Sequence, residues 1–123
     1  MKIHGKWCGP NWTGGRKLSA EEYAKRGYSW DAPCTDALDC ACRQHDKACS
    51  HPKGCSKKAD TALIRAARRL ELSSLERMKL LGTVANPFAS RSSRQSAEKK
   101  LELDSKAGQV ADAITLARLI RRH

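Results

Sequence analysis

No apolar run in this 123-residue chain is long enough to cross a bilayer as a helix. Met1 to Gly5 holds no apolar segment, so no signal sequence is visible there. Internal repeats are missing too. The cysteines lack the paired Cys-x2–4-Cys spacing of zinc modules. They offer only Cys-x-Cys at Cys40 and Cys42 and Cys-x5-Cys at Cys49 and Cys55, with His4, His45 and His51 as further donors, so a zinc module is disfavoured.

What the chain has in excess is positive charge, +11 in all. Residues 1–55 carry nine Lys/Arg against six Asp/Glu, and residues 56–123 carry fifteen against seven, so most of the excess lies in the second half. A basic surface favours polyanions, either anionic lipid or nucleic acid. The second half shows no base-reading motif and no aromatic stacking platform, so nucleic acid is not the expected partner. The even count of six cysteines fits three disulfides and an oxidising compartment. A chain this short forms one domain with a modest core, and such domains often need staples.

The most informative stretch runs from Asp39 to Cys49. It packs His45, Asp46, Cys40, Cys42 and Cys49 into residues of good helical propensity. On a helix, residues three, four and seven apart share a face. Cys42, His45, Asp46 and Cys49 therefore form a stripe, with Asp39 just above it. That stripe is too polar for ordinary core and too organised for ordinary solvated surface.

The surrounding chain reads as helical. Residues 1–15 carry Gly5, Gly9, Gly14 and Gly15 with Pro10 and Asn11, which is loop chemistry. Ser19 reads as an N-cap for a short helix over 20–26, stopped by Gly27. A central helix is expected from Thr35 as N-cap to Cys49, broken by 50–54. A second helix is expected from Ser56 to Leu81, with Ala59, Ala62, Leu63, Ala66, Leu70, Leu75 and Met78 at helical spacing. Gly82 to Arg94 reads as a hinge and Glu98 to Leu103 as a charged helical stretch. Gln109 to Ile120 is amphipathic, with Val110, Ala113, Ile114, Leu116, Ala117 and Ile120 on one side. It reads as a third helix on the core. Arg118, Arg121 and Arg122 leave a basic membrane-surface helix as the alternative.

The short connection between the first two core helices predicts antiparallel neighbours. It is centred near residues 52–53, with His45 and Asp60 about equally far on either side, so Asp60 is expected opposite His45. A carboxylate there accepts the second imidazole N–H, fixes the tautomer and stabilises the imidazolium. Asp46 cannot serve equally well, because adjacent helical residues point about 100° apart.

The Cys42-x-x-His45-Asp46 helix, preceded by the Trp7-Cys8-Gly9-Pro10-Asn11-Trp12-Thr13-Gly14-Gly15 loop, resembles the secreted phospholipase A2 family. The resemblance covers roughly residues 4–70. It implies an all-α, disulfide-stapled fold with two antiparallel core helices and an N-terminal calcium-binding loop, to which an additional C-terminal helix is added. With the length and the C-terminal pattern read above, the expectation is a single phospholipase A2-like domain over 1–123, with 1–82 as catalytic core and 83–123 as hinge and C-terminal amphipathic helix.

The implied activity is calcium-dependent hydrolysis of the sn-2 ester of glycerophospholipids, releasing fatty acid and lysophospholipid. His45 deprotonates the attacking water, Asp60 orients His45, and the Gly9 N–H is an oxyanion donor. The implied Ca2+ ligands are the carbonyls of Trp7, Gly9 and Asn11 and the side chain of Asp46. The family usually has Gly where this chain has Asn11, and Asn tolerates left-handed backbone. Cys8 can tie the loop to the helix through Cys42. Three connectivities then remain for the other cysteines; Cys34–Cys40 and Cys49–Cys55, each closing a short loop, are favoured.

Two departures stand out. Ala41 separates Cys40 from Cys42, where the family often has adjacent cysteines. Cys49 stands where many members place a tyrosine. The expected partner is an anionic phospholipid surface, with Trp7, Trp12 and Trp30 either packed or at headgroup level. The expected form is a monomer, secreted to the extracellular space, its export signal either removed already or replaced by another route. The rival reading is a catalytically weak phospholipase-like protein that binds and perturbs anionic membranes. For 83–123 a covering helix, a membrane contact and an inhibitor-binding segment all stand open.

Overall fold

The structure, a computed structural model, describes residues 1–121. Five helices follow one another: α1 (Ala20–Lys25), α2 (Ala37–Cys49), α3 (Lys57–Leu70), α4 (Ser74–Ala85) and α5 (Arg91–Arg121). The only strand-like pairings among the described residues are two isolated bridges, His4 with Cys8 and Thr13 with Arg16, which fold the N-terminal loop back on itself.

Caps set most boundaries. Ser19, Ser56 and Ser73 each accept a hydrogen bond from the N–H three residues on, at the starts of α1, α3 and α4. The central helix is capped by Asp36 rather than by Thr35. Thr35 instead donates its N–H and hydroxyl to Asp39. The expected helix from Ser56 to Leu81 is two helices. The chain turns at Glu71–Ser73, where Ser73 and Glu76 begin a new α-helix. Their Ser-x-x-Glu pattern is a start signal that the apolar spacing concealed. Leu75 and Met78, expected on the buried face, are exposed, and so is Ala62.

The hinge is shorter than expected. Gly82 lies inside α4, and the interruption is confined to 86–90. From Arg91 one helix takes in both Glu98–Leu103 and Gln109–Ile120. Leu116 and Ile120 are exposed rather than on the packed side. Arg122 lies outside the described residues.

One core joins loop and helices. Trp7, Tyr23, Leu38, Cys42 and Leu63 pack with Ala67, Ala107, Val110 and Ala111. Trp7 is fully buried, stacked on Trp30 and edge-on to Tyr23, so it is a core residue and not a headgroup contact. The alanines facing each other on α3 and α5 let those helices lie close. α5 also packs along α4. At one end Asp104 accepts from the Leu72 N–H and from Arg77, pinning the α3–α4 turn to α5. Toward the other end Arg68 bonds Asp112, and Arg118 bonds the Thr61 hydroxyl.

With few large apolar side chains in this core, crosslinks matter. The pairs are Cys8–Cys42, Cys34–Cys40 and Cys49–Cys55. The first, separated by 34 residues, closes by far the longest loop. Chain entropy assigns it about 4 kcal/mol, against about 2 for each short loop.

Candidate functional site

The site forms where the N-terminal loop meets α2 and α3. Cys8–Cys42 ties the loop to the helix one turn before Asp46. Asp39 anchors the loop a second time. It is fully buried and accepts from the backbone N–H of Lys6 and Trp7, the latter at 2.8 Å, and from the Thr35 N–H. Gly5, at φ +58, lies so close to this carboxylate that a Cβ would collide with it. The sequence placed Asp39 beside the reactive stripe but gave it no role. An acidic residue in a first turn usually faces solvent, and nothing local announces that a loop will bury it.

The loop adopts the left-handed backbone its sequence permits. Gly9 has φ +142 and Asn11 φ +51, the one non-glycine at positive φ among the described residues. The turn sorts its carbonyls. Cys8 accepts from Ile3 and His4, and Pro10 from the N-terminal ammonium. Among the described residues the carbonyls of Trp7, Gly9 and Asn11 accept no hydrogen bond, and the Gly9 N–H donates none.

Across from the loop stand His45 and Asp46, adjacent on α2. The His45 Nε2 lies 2.7 Å from Oδ1 of Asp60, which α3 presents from the antiparallel neighbour. Both residues are buried. With Nε2 donating to the carboxylate, the imidazole lone pair sits on Nδ1. Nδ1 is 4.0 Å from the Asp46 carboxylate, too far for a hydrogen bond. The Cys49 sulfur lies 3.5–3.6 Å from the ring nitrogens, so Cys49–Cys55 packs against the imidazole where a tyrosine was the family expectation.

Asp46 is the electrostatic anomaly. Its Oδ2 is buried and, among the described residues, has no hydrogen-bond partner. Burial pushes the carboxyl up to about 9, and the nearby Asp39 charge adds to the rise. Orphaned buried carboxylate oxygens are costly. Hard oxygens, a carboxylate and three unpaired carbonyls, are the donor set calcium takes. The residues present therefore fit the ion: Asp46 with Trp7, Gly9 and Asn11 would hold it. A second cluster, His45, Cys49, Cys55 and Asp60, has its ligand atoms within 4.8 Å of one another, but its sulfurs are joined in a disulfide.

Loop, His45 and Asp46 line a single cavity of about 410 Å³. Its far wall is α5, through Val110, Ala113, Ile114 and Ala117. So the C-terminal helix covers the site with small and branched apolar side chains. Trp12 is half-buried, with its indole N–H on the Gly5 carbonyl, and Trp30 is half-buried in the aromatic cluster. Among the described residues no helix is long and apolar enough to cross a membrane. Compared with protein-family models, curated proteins and solved structures, the chain matches none, so the reading of its function rests on the site.

Proposed function

We propose that the protein is a calcium-dependent phospholipase A2 that hydrolyses the sn-2 ester of glycerophospholipids on a disulfide-stapled phospholipase A2-like fold. One observation, made among the described residues, carries the reading: an imidazole paired with Asp60 stands beside Asp46, whose buried Oδ2 lacks a hydrogen-bond partner, and both line one cavity with a loop whose carbonyls accept no hydrogen bond.

His45 acts as the base. Asp60 holds the ring so that Nδ1 takes a proton from water as the water oxygen attacks the ester carbonyl. The proton then passes to the departing lysophospholipid oxygen, and the fatty acid leaves and ionises to its carboxylate, giving its remaining proton to solvent. The Gly9 N–H, on the cavity wall and without an acceptor among the described residues, would donate to the developing oxyanion. Asp46 and the carbonyls of Trp7, Gly9 and Asn11 would hold a calcium ion, which would supply positive charge to stabilise the oxyanion. The apolar α5 wall excludes water and accepts the acyl chain.

The +11 charge supports an anionic phospholipid surface as partner, and three disulfides support an extracellular setting. The exposed Leu116, Leu119 and Ile120 near the end of α5 favour, as second reading, a catalytically weak protein that coats such membranes. Mass analysis of anionic phospholipid vesicles, acyl-labelled separately at each position, tests the reaction. Release of only the sn-2 acid supports hydrolysis. Vesicle binding with no acid released supports the second reading.

A further inference from the structure

The base His45 is ringed by a second donor set of different chemistry. Besides Asp60 at 2.7 Å, the Cys49 sulfur lies 3.5 Å from its Nε2, and Cys55 completes a group whose ligand atoms all fall within 4.8 Å of one another. His45 and Asp60 are buried, while Cys49 and Cys55 are half-buried. In the oxidised protein the two sulfurs are bonded to each other and cannot act as thiolates.

We propose that reduction of Cys49–Cys55 creates a tetrahedral site for zinc, or a metal of like preference, made of the two thiolates, the His45 imidazole and the Asp60 carboxylate. A dithiol reductant supplies two electrons and two protons. It leaves two protein thiols and is itself oxidised to a disulfide. Zinc then binds as the two thiol protons leave to solvent, and the imidazole stays neutral.

The spacing suits the ion. Zn–S bonds near 2.3 Å and Zn–N bonds near 2.0 Å set tetrahedral ligands roughly 3.3–3.8 Å apart. The sulfurs must move apart after cleavage, and the exposed 51–54 segment that joins them lets them do so, while the 2.7 Å His45–Asp60 contact must widen by about half an ångström. That segment closes a sequence separation of 6, so chain entropy protects this bond less than Cys8–Cys42. The soft thiolates separate this site from the all-oxygen set at Asp46, which suits calcium.

The consequence for catalysis, which rests on the hydrolytic reading, follows from valence. Zinc on Nδ1 occupies the lone pair that takes the water proton. Zinc on Nε2 forces the ring proton onto Nδ1. Either way the base is removed. In a reducing compartment the protein would then be held inactive; a disulfide oxidant, itself reduced to its dithiol, would re-form Cys49–Cys55, release the metal and restore the base.

Cobalt(II) reports the site without any activity assay, so failure of this proposal is distinct from failure of the hydrolase reading. The wild-type protein is reduced, its accessible thiols are counted by alkylation, and cobalt is added. We expect about one cobalt per chain, with thiolate charge-transfer and tetrahedral d–d bands. Those bands are expected to be missing in the oxidised protein and lost in the reduced Cys49→Ser/Cys55→Ser variant. If reduction unfolds the chain, Cys55→His decides instead, because it offers Cys49, His45, Asp60 and a second imidazole without reductant. Bands that persist in the double variant overturn the proposal. So does a reduced, folded wild type without bands, or, where reduction unfolds it, a Cys55→His variant without them.

Discussion

The Trp7 N–H donates to Oδ1 of Asp39 at 2.8 Å, and neither residue has contact with solvent. The same carboxylate takes the Lys6 N–H and the Thr35 N–H. One side chain thus holds the loop that faces His45 and Asp46. Asp39→Asn turns an amide donor toward those N–H groups, at a cost of roughly 2–3 kcal/mol. Urea unfolding with disulfides intact is expected to show this loss, together with weaker calcium binding. Unchanged stability would mean that the disulfide alone fixes the loop.

The Asp46 carboxyl, raised to about 9 by burial and by Asp39, keeps its proton at neutral pH without a cation. A calcium ion bound by Asp46, as proposed, would have to displace that proton. Binding at pH 7 is therefore expected to release close to one proton, and affinity to rise about tenfold per pH unit toward 9. Calorimetry in buffers of different ionisation enthalpy reads the proton directly. The sign for stability is the reverse. The unfolded carboxyl ionises near 3.9 and the folded one near 9, so metal-free stability falls as pH rises between them. Asp46→Asn is expected to remove that slope along with calcium binding.

Asp60 and His45 should separate by their kinetics. His45→Gln removes the base and is expected to lower kcat at least about 10²-fold while leaving calcium affinity intact. Asp60→Asn is expected to slow turnover substantially, again with little change in calcium affinity, because Asp60 Oδ1 lies 2.7 Å from the imidazole Nε2. Calcium titrations beside initial rates check both. Loss of calcium binding in either variant would place these residues in the wrong role.

Arg77 and Asp104 test the far end. The Arg77 guanidinium, helped by the Leu72 N–H and opposed by burial, holds the Asp104 carboxyl below its usual range. This contribution is present above the unfolded carboxylate value near 3.9 and is lost as pH falls through the folded value. Asp104→Asn is expected to raise amide exchange in α4, which has no buried residues of its own, with little effect on the loop.

The sequence carried the parts of this fold that are local or periodic. The short helix after Ser19, the stop at 50–54 and the His45–Asp60 register follow from caps, breakers and hairpin counting. Cap chemistry also marked the break at Ser73, but apolar residues spaced across it suggested continuity, and Leu75 and Met78 turned out exposed. What no single stretch could reveal is long-range. The burial of Asp39 by Gly5–Trp7 and the α5 wall over the cavity each depend on segments far apart in the chain. Trp7 looked amphipathic as a side chain, yet Tyr23 and Trp30 enclose it.

The central claim is that Asp46 and the loop hold calcium beside a His45 base. It is tested most directly by fatty-acid release from anionic phospholipid vesicles, measured with calcium and again with a calcium chelator. The account predicts release with calcium and a loss of roughly 10²-fold or more on chelation, restored when calcium is returned. Undiminished release in the presence of the chelator would contradict it.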